Sequence, residues 1–316
     1  MQPLKMFNEF LFEAQQKLDL HQIYLCVNPD NGQRWWSYKG FAGSKFFTQL
    51  TMDNYQDISI NPDLPVLNYN SEVCQYLLDQ NLIKSKNVYN HPKHIKKSGS
   101  KKEFHQLIAG QDNVPQTATT KQGAKKIGLP LIAKPAAGHS GIGIQIFKTQ
   151  EEWQQADHSK FDIYSEYINK RSEHRIFNFK GQPWFWMERQ PLNNKAKTGS
   201  GSNKTEMNFK YIKKDVTQLP NKFKQVMYKF ANLLADLPFM CFDVMEDQRG
   251  KVWIIESNAQ PGVPYDSTII AYQKIFQDFY QRPVNDATQK KLEELATYLN
   301  NKTLELDKNR FEIKDK

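Results

Sequence analysis

The chain has 316 residues, of which 39% are hydrophobic and 13% aromatic, and it carries a net charge of +9. That length exceeds what one compact core usually holds, so two or three lobes are expected, and the apolar content excludes wholesale disorder. No window approaches the roughly 20 apolar residues a membrane span needs. Three scattered cysteines (Cys26, Cys74, Cys241) offer neither a disulfide framework nor zinc-ligand spacing. A reducing cytoplasm is the expected location, and residues 1–20 read as an amphipathic helix without the apolar region of a signal peptide. A polyanionic partner such as nucleic acid is one explanation of the charge. A lysine-rich surface plus a nucleotide site is the other, favoured because the basic residues are spread along the whole chain.

In chain order, residues 22–27 (QIYLCV) and 65–68 (PVLN) read as short strands of an α/β lobe. SEVCQYLLDQNLI follows with helical spacing and Ser71 as its N-cap. Residues 91–102 (HPKHIKKSGSKK) are a basic stretch taken as a phosphate-facing loop, and KKEFHQLIAG is an amphipathic helix ending near Gly110. LPLIAKPAA and IQIFK form a β-hairpin around the glycine-rich tip GHSGIG. EEWQQA is helical, DIYSEYI is a strand, and HRIFNFKGQPWFWMERQ gives two antiparallel strands turning at Lys180-Gly181. Residues 192–209 are polar and loop-like, and 193–214 form the second basic stretch. Gln218 to Leu234 is a helix. FMCFDVM and KVWIIESN make a last hairpin about EDQRG, and helices follow over Ser267 to Tyr280, capped by Asp266, and Thr288 to Leu306.

Three segments carry chemistry. On the last hairpin, Glu256 and Asn258 are two apart and share a face, while the turn puts Asp243 opposite Glu256. Two carboxylates and an amide make an all-oxygen set that suits Mg²⁺ completed by phosphates. Lys134 ends a strand before Gly138-His139-Ser140-Gly141-Ile142-Gly143. Glycines let backbone N–H groups approach phosphate, and the lysine adds a point charge. In SEYINKRSEHR, Glu166, Tyr167 and Ile168 can offer backbone groups and apolar surface to an adenine. Glu173 can meet ribose hydroxyls, and Arg175 a transferred phosphoryl group. Taken singly, a flexible turn, a surface salt-bridge patch and two solvent-facing acids explain these segments as well.

Their order along the chain resembles the ATP-grasp superfamily, especially ribosomal-protein glutamate ligases, glutathione synthetases and peptide-crosslinking ligases. The resemblance covers residues 90–275. It implies an α/β (α+β) fold in which two lobes clamp ATP between antiparallel sheets. Residues 1–95 would form an N-terminal α/β lobe, 96–165 a small lobe with the glycine loop, 166–282 a C-terminal lobe with the metal site, and 283–316 a terminal helix and tail.

The resemblance also implies roles. Lys134 and either Lys101 or Lys102 would bind phosphates, Ser100 standing where the family usually has aspartate. His139, Ser140, Gly141 and Gly143 would lie over the phosphates. Glu166, Tyr167 and Ile168 would form the adenine hinge and Glu173 the ribose contact. Arg175 and Arg189 would be catalytic. Asp243, Glu256 and Asn258 would hold one or two Mg²⁺ ions, with Mn²⁺ as an alternative. The implied reaction joins a carboxylate to an amine of a peptide, protein or amino acid, through an acyl phosphate, with release of ADP and phosphate. The glycine-loop hairpin and residues 192–209 are the candidate lid. A nucleic-acid-directed protein using ATP is the runner-up, and no membrane partner is expected.

Overall fold

A computed structural model describes residues 23–27, 47–135, 143–191, 209–263, 267–286, 288–290, 292–294 and 297. The chain divides into two compact units, residues 1–92 together with 260–316, and Lys93–Ala259. No helix among the described residues is long and apolar enough to cross a membrane.

In the first unit, strands β1 (Ile23–Cys26), β2 (Phe47–Leu50), β3 (Val66–Asn68) and β4 (Val88–Tyr89) form a parallel sheet in the order β2-β1-β3-β4. Every residue of β1 is buried, as expected of a central parallel strand covered on both faces. Tyr24 and Cys26 join the cluster with Val73, Cys74 and Leu77 of helix α1 (Ser71–Asp79). The N-cap of α1 is Asn70, whose side chain accepts from the Val73 N–H, rather than the expected Ser71. On the other side Phe47 meets Tyr272 of the long helix Ser267–Tyr280 edge-to-face, and the Tyr89 hydroxyl donates to Asp278 at 2.7 Å. The expected cap Asp266 lies outside the described residues, as do residues 1–20 and most of 288–306.

The second unit opens with a helix where a basic loop was expected, α2 (Pro92–Gly99), followed by the expected amphipathic helix α3 (Lys101–Ile108). Ser100 separates them and caps α3 through its hydroxyl, which accepts from the Glu103 N–H. Serine and aspartate are both strong caps, so the departure from the usual aspartate keeps this helix start intact. A small sheet, ordered β5-β8-β6-β7, comprises β5 (Thr117–Ala118), β6 (Leu131–Lys134), β7 (Gln145–Phe147) and β8 (Ile163–Glu166). The antiparallel β6–β7 pair is the hairpin read from the sequence. Leu131, Ala133, Phe147 and Tyr164 pack with Trp153 on one face, leaving Ile132, Lys134 and Ile163 on the other.

The larger sheet has the order β11-β10-β9-β12-β13, all antiparallel. Its strands are β9 (Lys170–Phe179), β10 (Gln182–Pro191), β11 (Phe209–Lys214), β12 (Phe239–Asp247) and β13 (Val252–Asn258). Lys180 (φ 48°) and Gly181 (φ 83°) make a two-residue turn with both central residues left-handed, the geometry that matches strand twist. β11 occupies the end of the second basic stretch, whose residues 192–208 lie outside the described set. Ile176, Phe242, Val244 and Ile254 form the apolar face of this sheet. They bury against Phe223, Met227 and Phe230 of the helix Asn221–Leu233 and against Phe104 and Ile108 of α3.

Candidate functional site

Strand alternation places the opposite residues of the large sheet on its second face. One row across the strands reads Lys213, Met187, Arg175, Asp243, Glu256, each paired with its neighbour in register. The adjacent row includes Tyr211, Arg189 and Glu173, and the row on the other side ends with Cys241 and Asn258. Five residues proposed from sequence, Arg175, Arg189, Glu173, Asp243 and Glu256, therefore sit side by side on one surface, with Asn258 one row away.

Their charges are tightly matched. Arg175 grips Asp243 in a two-bond fork, Nε to Oδ1 at 2.7 Å and Nη2 to Oδ2 at 2.8 Å. Burial would raise the Asp243 carboxyl, but Arg175, backed by Arg189 and Lys101, holds it below the ordinary carboxylate range. Asp243 in turn holds the Arg175 guanidinium well above its ordinary value. Arg189 donates to Glu173 Oε1 at 2.6 Å, and Lys170 bonds the other oxygen, so the Glu173 carboxylate orders two cations. Tyr211, 46% exposed, borders the group with its ring 5.7 Å from the Arg175 guanidinium.

Glu256 is different. The protein packed around it, with the carboxylate of Asp243, pushes its pKa up despite Lys101. The nearest cation is Lys101, Nζ to Oε1 at 4.0 Å, from the first turn of α3. Lys102, the other candidate, is exposed, so Lys101 is the lysine that α3 turns toward the carboxylates. Lys134 completes the set. It is 7% exposed and makes no side-chain hydrogen bond or ion pair among the described residues. Burial, with Lys101 adding to it, lowers its pKa against the pull of Glu256 and Asp243.

Among the described residues no three His, Cys, Asp or Glu side chains gather as a metal-ligand set. Asp243 and Glu256 directly opposite each other, with the Asn258 amide nearby, nevertheless fit a hard divalent ion. Such an ion would offset the charge pressure on Glu256 and would draw its remaining ligands from other oxygen donors, as Mg²⁺ does.

No family model and no curated protein matches the sequence. Among solved structures, D-alanine–D-alanine ligase from Bacillus anthracis superposes with a TM-score of 0.57 at 14% identity, over 82% of this chain and 96% of that one. A RiPP-associated ATP-grasp ligase from Chryseobacterium gregarium, in complex with ADP and a leader and core peptide, gives 0.56 at 13% identity, over 84% and 98%. N5-carboxyaminoimidazole ribonucleotide synthetase from Thermotoga maritima gives 0.50 at 10%, over 84% and 77%. The chain has the ATP-grasp fold.

The remaining proposed residues that are described lie on the small sheet and its connections. Glu166 ends β8, and its carboxylate accepts from the Gln116 N–H at 3.4 Å. The Tyr167 N–H goes to the Pro130 carbonyl at 3.1 Å, and Ile168 is buried beside it. His139, Ser140 and Gly141 lie outside the described residues. Gly143, where description resumes, has φ +78°, the left-handed region that favours glycine, and a Cβ there would come 3.2 Å from the Pro135 ring. Two site neighbours were missed from sequence, Tyr211 and His105. Tyr211 sits in a strand that read only as the end of a basic stretch. His105 had a signal in its spacing, four residues after Lys101 and thus on the same helix face.

Proposed function

We propose that this protein is an ATP- and Mg²⁺-dependent carboxylate–amine ligase that forms an amide through an acyl phosphate and releases ADP and phosphate. The observation that carries the reading is Lys134: a buried ammonium without an anionic partner among the described residues, next to a second lysine and across from two carboxylates. A buried charge is costly unless paired. Here the missing partner is an anion that brings its own divalent cation, which describes a metal-bound nucleoside triphosphate.

In this reading Lys134 and Lys101 hold phosphates, and Glu166, Tyr167 and Ile168 line the adenine between the lobes of residues 96–165 and 166–282. Glu173 shares its carboxylate between Arg189 and the ribose. Asp243, Glu256 and Asn258 hold Mg²⁺, with Mn²⁺ as an alternative; the ion, when bound, neutralises charge on the phosphates. A substrate carboxylate oxygen attacks the γ-phosphorus, the bond to the β-phosphate oxygen breaks, and ADP leaves. Two anions meet in that step, and Arg175 and Arg189 stabilise the charge, Arg175 being held in place by its fork to Asp243. An amine nitrogen then attacks the acyl carbon and expels phosphate. His139, Ser140, Gly141 and Gly143 cover the phosphates and keep water from the acyl phosphate. The acid and amine come from amino acids, peptides or proteins, a range supported by the names of the similar structures.

Incubating the protein with Mg-ATP, excess hydroxylamine and a panel of amino acids and peptides tests this reading. With the right acid, a hydroxamate should accumulate together with ADP and phosphate. Release of AMP and pyrophosphate instead would overturn the acyl-phosphate mechanism and leave only the fold.

A further inference from the structure

His105 lies on α3 one helical turn after Lys101, is 5% exposed, and its Nδ1 is sealed from solvent with no hydrogen-bond partner among the described residues. A buried polar nitrogen left unsatisfied is uncommon in a native interior and calls for a reason. Burial, then Lys134 and then Lys101, holds the imidazole pKa down at about 3, so the ring is neutral at any physiological pH. The Lys134 ammonium, near enough to weigh on the charge of this imidazole, has donors and no side-chain acceptor among the described residues. A neutral imidazole nitrogen is an acceptor for an ammonium and adds no positive charge between two lysines.

We propose that His105 is a positioning residue of the nucleotide site, whose Nδ1 accepts a hydrogen bond from Lys134 Nζ when the polyphosphate is bound. That bond aims the ammonium at the phosphates and leaves its other two N–H groups for phosphate oxygens. The inference rests on the reading of Lys134 as a phosphate ligand. It concerns atoms that no sequence motif of the site includes.

The test uses the full-length protein and calorimetric binding of Mg-ATP and of adenosine. His105→Asn keeps an acceptor close to the Nδ1 position, whereas His105→Leu keeps bulk and removes the acceptor. His105→Leu should weaken Mg-ATP binding about tenfold, the size expected for one lost charge-assisted bond, while His105→Asn stays within about threefold of wild type. Adenosine binding should be the same in all three, because it lacks the phosphates Lys134 meets. In a Lys134→Ala background the His105→Leu change should have no further effect on Mg-ATP, since the two act as one unit. Equal loss of Mg-ATP and adenosine in both variants would assign His105 to packing and overturn the proposal. Full Mg-ATP affinity in His105→Leu, with Lys134→Ala impaired, would overturn it while leaving the nucleotide site standing. Wild type that binds no Mg-ATP would remove the nucleotide reading itself.

Discussion

The two faces of the five-stranded sheet are built from the same strands, one residue out of phase, and they do opposite things. On one face Ile176, Phe242, Val244 and Ile254 meet a helix and vanish from solvent. On the other, Arg175, Asp243 and Glu256 line up in register, the first two compensating each other and the third facing Lys101 at 4.0 Å. The apolar face is satisfied by the protein alone. The charged face is satisfied between Arg175 and Asp243, while burial pushes the Glu256 carboxyl up, despite Lys101, and the Lys134 ammonium down. The contrast separates what folds the chain from what the chain folds for, and substitutions on the two faces should separate in the same way.

The largest effect belongs to the apolar face. Phe242→Ala removes a fully buried ring and should lower unfolding free energy by about 3–5 kcal/mol in chemical denaturation. The protein that remains folded should bind Mg-ATP with wild-type affinity. Loss of binding in that folded fraction would mean the faces are not independent. On the charged face Glu256→Gln should do the reverse. Its carboxyl is already pushed upward, so neutralising it should leave stability within about 1 kcal/mol or raise it. ADP formation with an accepted acid should fall about 10²–10³-fold. A folded, fully active Glu256→Gln enzyme would remove Glu256 from the site.

A smaller effect tests the buried imidazole of α3. The folded-state pKa of His105 is about 3 and its unfolded value about 6.5. The unfolded chain therefore binds this proton first as pH falls, and stability is lost between pH 6.5 and 3 at about 1.4 kcal/mol per unit. Wild type should lose about 2 kcal/mol more than His105→Asn between pH 7 and pH 5. Parallel curves for the two proteins would show that the imidazole is already solvated.

Much of this contrast was legible in the sequence. The alternation of FMCFDVM against KVWIIESN placed acids among apolar residues, and the turn at Gly250 (φ +82°) brings Asp243 opposite Glu256. Lys180-Gly181 marked the other hairpin by turn chemistry alone. What could not be read was whatever depended on pairing between segments distant in sequence. The Arg175–Asp243 fork needs β9 beside β12, and the closeness of Lys134 to Lys101 and Glu256 needs two sheets and a helix to meet. The helix α2 was missed because its run PKHIKKSG is almost wholly polar, with Ile95 packed on the large core. β2 and β11 were missed because FTQL and FKYIKK alternate weakly and take their strand form from neighbours. The choice between Lys101 and Lys102 was likewise open until the helix phase fixed which of them faces Glu256.

The central claim is that the leftover charges at Lys134 and Glu256 await a metal-bound nucleoside triphosphate. Thermal unfolding with and without saturating Mg-ATP tests it most directly, in wild type and in Lys134→Ala. Wild type should melt several degrees higher with ligand, since binding to the native state alone adds about 2.7 kcal/mol at a hundredfold excess over Kd. Lys134→Ala should show little or no rise, and without ligand it should be no less stable than wild type because a buried, unpaired ammonium is gone. An equal rise in both proteins would contradict the account.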